Sequence, residues 1–116
     1  MINATRTFNV EATLPTVEEA RRLVMEAIKQ AKRERVKVLK VIHGYGSTGK
    51  GGALSTGLRK SFRLRKKEGV VKEYIAGEDF SIFNNIVLEL LEAVPELRGD
   101  PDLNATNEGV SILWLR

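Results

Sequence analysis

The chain has 116 residues, 42% apolar and 29% charged, with nineteen Lys and Arg against fifteen Asp and Glu, a formal net charge of +4. That length holds one hydrophobic core and not two. The absence of cysteine and the single histidine exclude disulfides, thiolate metal sites and a conventional zinc centre, and fit a cytoplasmic protein. There is no basic-then-apolar leader and no apolar run long enough to span a bilayer, so a membrane is not an expected partner.

Residues 7–12, Thr-Phe-Asn-Val-Glu-Ala, alternate apolar and polar and predict a strand. Pro15-Thr16-Val17-Glu18-Glu19 then reads as a helix start, with Thr16 as cap and Glu19 completing a capping box. Val17, Ala20, Val24, Ala27, Ile28 and Ala31 repeat at helical spacing and give that helix one apolar stripe. Val36–Ile42 is the most strand-like run of the chain, although Lys37 and Lys40 predict an edge or a partly exposed face there. A second helix, Ala53 to Lys67, carries Leu54, Leu58 and Phe62 on one stripe, with Gly57 placed to allow close packing.

Val70–Ala76 reads as a third strand. Asp79 or Ser81 can cap a third helix over Ile82–Val94, stopped by Pro95. That helix is apolar nearly all round, so the pattern predicts either a helix wrapped by the fold or one covered by a partner, such as a second copy in a two-fold homodimer. A polar loop, 97–108, precedes a last strand from Gly109 to Leu115. Trp114 in that strand reads as core. The order β-α-β-α-β-α-β implies an α/β sandwich with about four strands in a small mixed sheet of two layers. The first two strands should be parallel with a right-handed crossover, and the next crossover should share that character.

Charge is distributed unevenly. Residues 29–72 hold fourteen Lys and Arg against only Glu34 and Glu68, whereas nine acids face Arg98 and Arg116 from Glu73 onward. The basic half is centred on His43-Gly-Tyr-Gly-Ser-Thr-Gly-Lys-Gly-Gly52, where five glycines occur in ten residues. Glycine lets the backbone turn sharply and approach a ligand closely. A strand, a glycine loop and a helix start together form a common phosphate-holding design. Gly44-x4-Gly49-Lys50 satisfies most of a P-loop, but Gly51 stands where that motif needs a Ser or Thr for magnesium, and no suitable Asp ends a later strand. The residues name no cofactor and no metal.

From Val41 the text IHGYGSTGKGGALSTGLRKSF resembles the second signature of the small MutS-related (Smr) domain family: a strand ending in His43-Gly44-x-Gly46, a glycine loop, then Leu58-Arg59 in a helix, here with extra residues between. Thr16–Ala20 resembles the first helix start of that family, and Asn107–Ile112 its glycine-led last strand. The likeness covers about residues 7–76 and 107–115. On that reading the whole chain, 1–116, is a single Smr-like domain, and 78–106 is an insertion carrying an extra helix. The resemblance implies a compact fold similar to the C-terminal domain of translation initiation factor three. It also implies nucleic-acid binding and, in many members, endonuclease activity on DNA or RNA.

Members that cut usually carry Leu-Asp-x-His-Gly on the first strand. Here Asn9 stands where the Asp would be and Glu11 where the His would be. An Asn cannot act as a general base or hold a metal as a carboxylate does. Strand spacing would put Glu11 on the same face as Asn9, leaving one carboxylate for a rewired site. Three readings of function follow. The first is a DNA- or RNA-binding module that contacts phosphates through Gly44, Tyr45, Gly46, Thr48, Gly49, Lys50 and Arg59, with Tyr45 placed to stack on a base. The second is a hydrolase using His43 and Glu11 for proton transfer. The third is a protein-interaction domain working through helix 82–94. His43 has a bland role beside the functional one, ordering the loop by bonding backbone, and Arg59 can pair with an acid on a neighbouring strand.

Overall fold

The first long helix sets the frame. In this computed structural model, which describes residues 3–13, 15–44 and 50–116 with backbone alone at 13, 50 and 51, α1 spans Val17–Arg33. The capping box forms as its sequence requires: Thr16 Oγ1 accepts from the Glu19 amide at 3.1 Å, and Glu19 Oε1 accepts from the Thr16 amide at 3.3 Å. Ala20, Val24, Ile28 and Ala31 form its buried stripe. The other elements are β1 Thr5–Asn9, β2 Val38–Ile42, α2 Lys50–Lys67, β3 Val71–Ala76, α3 Asn85–Ala93 and β4 Val110–Leu115. Short 3-10 turns occupy Glu11–Thr13, Gly77–Asp79 and Pro95–Gly99. Among the described residues no helix is long and apolar enough to cross a membrane.

The mixed four-stranded sheet has the order β1-β2-β4-β3. β1 and β2 are parallel, as the intervening helix predicts. β4 enters antiparallel between β2 and β3, so β2 and β3 run the same way without touching. That insertion buries β4 completely, which is why Val110–Leu115 is apolar in an almost unbroken run.

Helices cover both faces. Leu39, Val41, Leu113 and Leu115 face α1 and α2, where Leu54, Leu58 and Phe62 complete one core. Gly57 fulfils its expected role there: a Cβ would lie 2.4 Å from Val17 Cγ1, so only glycine lets the two helices meet. Val38, Ile112 and Trp114 face the opposite way, onto Phe80, Val87, Leu90, Leu91 and Leu97. The two expected layers are therefore joined by a third, because Phe80, Val87, Leu90, Leu91, Val94 and Leu97 are buried on the second face of the sheet. Trp114 is core, as its strand implies, with Lys72 Nζ 4.0 Å from the ring centroid.

Four expectations change. The first strand ends at Asn9, not residue 12: Asn9 Oδ1 accepts from the Ala12 amide at 3.1 Å and turns the chain. Glu11 thus lies in a turn and not on the strand face that strand spacing would give it. The third helix starts at Asn85, capped by Asn84 Oδ1 on the Ile86 amide at 2.9 Å and not by Asp79 or Ser81. Its apolar ring also divides: Val87, Leu90 and Leu91 are buried, while Leu88 is 44% exposed. Lys40 departs furthest from its sequence reading. It is buried and pairs with Asp100 at 3.0 Å and with Asp102, tying the loop after α3 across the sheet.

Candidate nucleic-acid interface

The glycine loop leaves the C-terminal end of β2 and leads into α2. The amides of His43 and Gly44 both donate to the Gly109 carbonyl, each at 3.0 Å, so the loop's first residues are fastened to the start of β4. Gly44 has φ +71°, a left-handed conformation that costs a side-chain-bearing residue about 1–2 kcal/mol. A Cβ there would also sit 2.6 Å from Glu11 Oε1. The turn after β1 thereby brings the Glu11 carboxylate against the loop entrance. Tyr45, Gly46, Thr48 and Gly49 lie outside the described residues, as does the Lys50 side chain; the Lys50 backbone forms the first described residue of α2.

His43 is fully buried beneath this entrance. Its Nδ1 lies 2.7 Å from the Gly44 carbonyl, which can only accept, so Nδ1 carries the proton. Nε2 lies 2.8 Å from Ser111 Oγ. Burial pushes the imidazole pKa below its usual value, with the Arg59 charge adding to that effect against opposing contributions from Gly44, Glu78 and Glu11. The ring is then neutral, and Nε2 accepts from the Ser111 hydroxyl. Beside Ser111 sits the Tyr74 hydroxyl, buried without an aligned hydrogen-bond partner among the described residues. Burial pushes the Tyr74 pKa up, against Ser111 and two arginines that favour its ionised form.

Arg59 forms the other support. Its two terminal nitrogens reach the two Glu78 oxygens at 2.7 and 2.8 Å, and one of them also donates to the Glu108 carbonyl at 2.6 Å. The guanidinium holds the Glu78 carboxyl below its ordinary pKa. Such two-point pairing exploits the planar fork of Arg. Arg59 therefore braces α2 against the turn after β3 and against the chain entering β4.

Sequence reasoning selected His43, Glu11, Gly44 and Arg59, and the structure brings these four to one end of the sheet. It missed Ser111, Tyr74 and Glu78. Ser111 left a signal: a lone hydroxyl inside the apolar run Val110–Leu115 must find a partner if buried. Glu78 left none of its own, because the sequence offers Arg59 an acid on a neighbouring strand without saying which, and only the packing of α2 on β3 selects Glu78. Among the described residues no cluster of His, Cys, Asp and Glu could hold a metal ion.

The crystal structure of the Smr domain of Thermus thermophilus MutS2 is similar in fold, with a TM-score of 0.56 and 20% identity over 97% of this chain and 96% of that chain. A search of curated proteins returns no match. The Smr domain sequence profile matches residues 14–79, more than half of the chain, including α1, β2, the glycine loop, α2 and β3. With the strand–glycine–helix arrangement around His43 and Gly44, that match shows that the chain belongs to the Smr domain family.

Proposed function

We propose that this Smr domain binds nucleic acid, DNA or RNA, through the 43–52 loop. The observation that carries the reading is the loop entrance itself. Gly44 holds φ +71° at the end of β2, fastened to Gly109, and α2 opens at Lys50. Residues 44–52 thus bring glycine amides, a helix start and a lysine together in one short stretch of chain, a composition that suits a phosphate. In this reading His43 and Arg59 are supports. His43 fixes the Gly44 carbonyl and Arg59 braces α2 against the turn after β3 and the chain entering β4, while Gly44, Tyr45, Gly46, Thr48, Gly49 and Lys50 meet the backbone of the ligand. Fluorescence anisotropy with single- and double-stranded DNA and RNA tests it. Affinity falls steeply with salt, and Lys50→Ala weakens binding by about 1–3 kcal/mol. Affinity independent of salt, together with no effect of Lys50→Ala, removes the reading.

Phosphodiester cleavage is the second reading, favoured by one observation: the Glu11 carboxylate rests against Gly44. It requires His43 to leave Ser111 and the Gly44 carbonyl, since both ring nitrogens are engaged. A nuclease gel on the same samples tests it; product that vanishes in Glu11→Gln supports it, and product unchanged in both Glu11→Gln and His43→Ala removes it. A homodimer through 82–94 is supported by the exposure of Ile82, Phe83 and Leu88. Glu89 and Glu92 on the same exposed side oppose it, because a two-fold axis there sets like charges together. Light scattering over a range of concentrations decides between dimer and monomer.

A further inference from the structure

One cleft of the domain lies away from the glycine loop, between the outer sides of α1 and α2. It is a shallow groove of about 580 Å³. Arg21, Arg22 and Lys29 rim it from α1 and Lys60 from α2, all exposed, while Met25 and Leu64 form its floor. Leu64 is 46% exposed, which leaves apolar surface of the floor open to solvent. Glu26 is the single acid on the rim and is taken up by Lys29 at 3.9 Å. Arg21, Arg22 and Lys60 make no ion pair with another described residue. The groove thus combines surplus positive charge with an uncovered apolar floor.

Its position along α2 gives it meaning. The helix that opens at the glycine loop also forms one wall of the groove. Lys60 lies ten residues along α2 from Lys50 and Arg65 fifteen, so the axial distance is about 15–22 Å at 1.5 Å per residue. We propose that a single nucleic-acid strand bound at the loop continues along α2 into this groove, with phosphates on Arg21, Arg22 and Lys60 and unstacked bases or sugars on Met25 and Leu64. The inference rests on the loop-binding reading above. A single strand is the occupant because a duplex keeps the faces of its bases stacked inside, which leaves the apolar floor without a base face to receive. A positively charged groove that tracks the backbone is the general feature of single-strand binding, and here Met25 and Leu64 stand where such sites usually carry aromatic side chains. At about 3.4 Å per nucleotide, the spacing along one strand of a duplex, the track from loop to groove spans about four to six nucleotides, and fewer where the strand is extended.

The test is anisotropy with labelled thymidine and uridine oligonucleotides shorter and longer than that span, beside a duplex of the longer length. Arg22→Ala and Lys60→Ala, both on exposed helix surface, are each expected to weaken the longer strand about five- to tenfold and to reduce the slope of log affinity against log salt by about 0.7. The shorter strand, filling only the loop, keeps its affinity in both variants and loses it in Lys50→Ala. Leu64→Ser is expected to weaken the longer strand without changing its salt slope, a readout that a purely electrostatic surface does not move. Normal binding by the groove variants with loss in Lys50→Ala overturns the continued track and leaves the loop reading standing. Weak binding by the groove variants with normal binding by Lys50→Ala overturns the loop reading and the continuity with it. A duplex bound more tightly than the single strand, with Leu64→Ser indistinguishable from the parent, overturns the assignment to a single strand.

Discussion

His43 makes a sharp prediction possible because it is the one imidazole of the chain. It is fully buried, and burial depresses its pKa below the usual value near 6.5. An unfolded chain takes up a proton near pH 6.5, whereas the folded domain takes it up only at lower pH. Within that window the unfolded state holds more protons, so stability falls as pH falls. The contribution of His43 is fully present above the unfolded pKa and is lost as pH drops toward the folded one. With a whole proton of difference the slope is about 1.4 kcal/mol per pH unit. Urea unfolding followed by Trp114 fluorescence, at about pH 7.5 and about pH 5.5, brackets the window above the range where most carboxylates titrate. In His43→Asn the slope should disappear. That variant should also be weaker at neutral pH by about 1–3 kcal/mol, because the buried Ser111 hydroxyl and Gly44 carbonyl lose their partners. An NMR titration of the folded parent should place the imidazole midpoint below 6.5. A midpoint at or above that value, or an undiminished slope in His43→Asn, refutes the buried neutral ring and its role as the loop's anchor.

Two glycines should respond differently to alanine: Gly77→Ala places a Cβ 1.9 Å from the Asn107 carbonyl oxygen, a backbone atom, and should cost about 3 kcal/mol in urea unfolding, whereas at Gly44 the obstructing atom is the mobile end of Glu11 and the left-handed backbone leaves about 1–2 kcal/mol. Asp102→Ala removes one partner of buried Lys40 and, with Asp100 remaining, should cost about 2–3 kcal/mol, below the full penalty for breaking a buried pair. Burial acts against the charge on Asp102, but Asn107 and Lys40 prevail and lower its pKa, so the stability it adds is present above the unfolded carboxylate pKa and lost as pH falls through the folded one; acid unfolding of Asp102→Ala should lack that part. Arg59→Lys should not restore what Arg59→Ala loses in thermal stability, since an ammonium cannot reach both Glu78 oxygens and the Glu108 carbonyl in the same geometry.

Local chemistry along the chain was enough to define the elements that rest on neighbouring residues. Thr16 and Glu19 are three residues apart, so their capping box is visible in sequence, and the 3.6-residue stripe of α1 identifies its buried side chains. The glycine loop between an apolar strand and a helix was visible for the same reason, and with it His43, Gly44 and the Smr resemblance. Period alone misplaced the end of β1, because an Asn side chain can take over a backbone amide and end a strand whose alternation continues in the sequence. It also left Lys40 unexplained, because its partners lie some sixty residues away.

Tertiary structure decided what depends on strand order. The sequence indicated four strands and three helices, one basic half and one acidic half, and a phosphate-type loop. It did not indicate that β4 would enter between β2 and β3. That placement brings Ser111 under His43 and Gly109 to the loop entrance, and it sets the Glu108 carbonyl within reach of Arg59. The second face of the sheet is covered by buried apolar residues between 80 and 97, which turns two layers into three. The reason is physical: helices and turns are stabilised by bonds between near neighbours, whereas sheet order is fixed by which apolar faces can be buried together, a condition that only the whole chain satisfies.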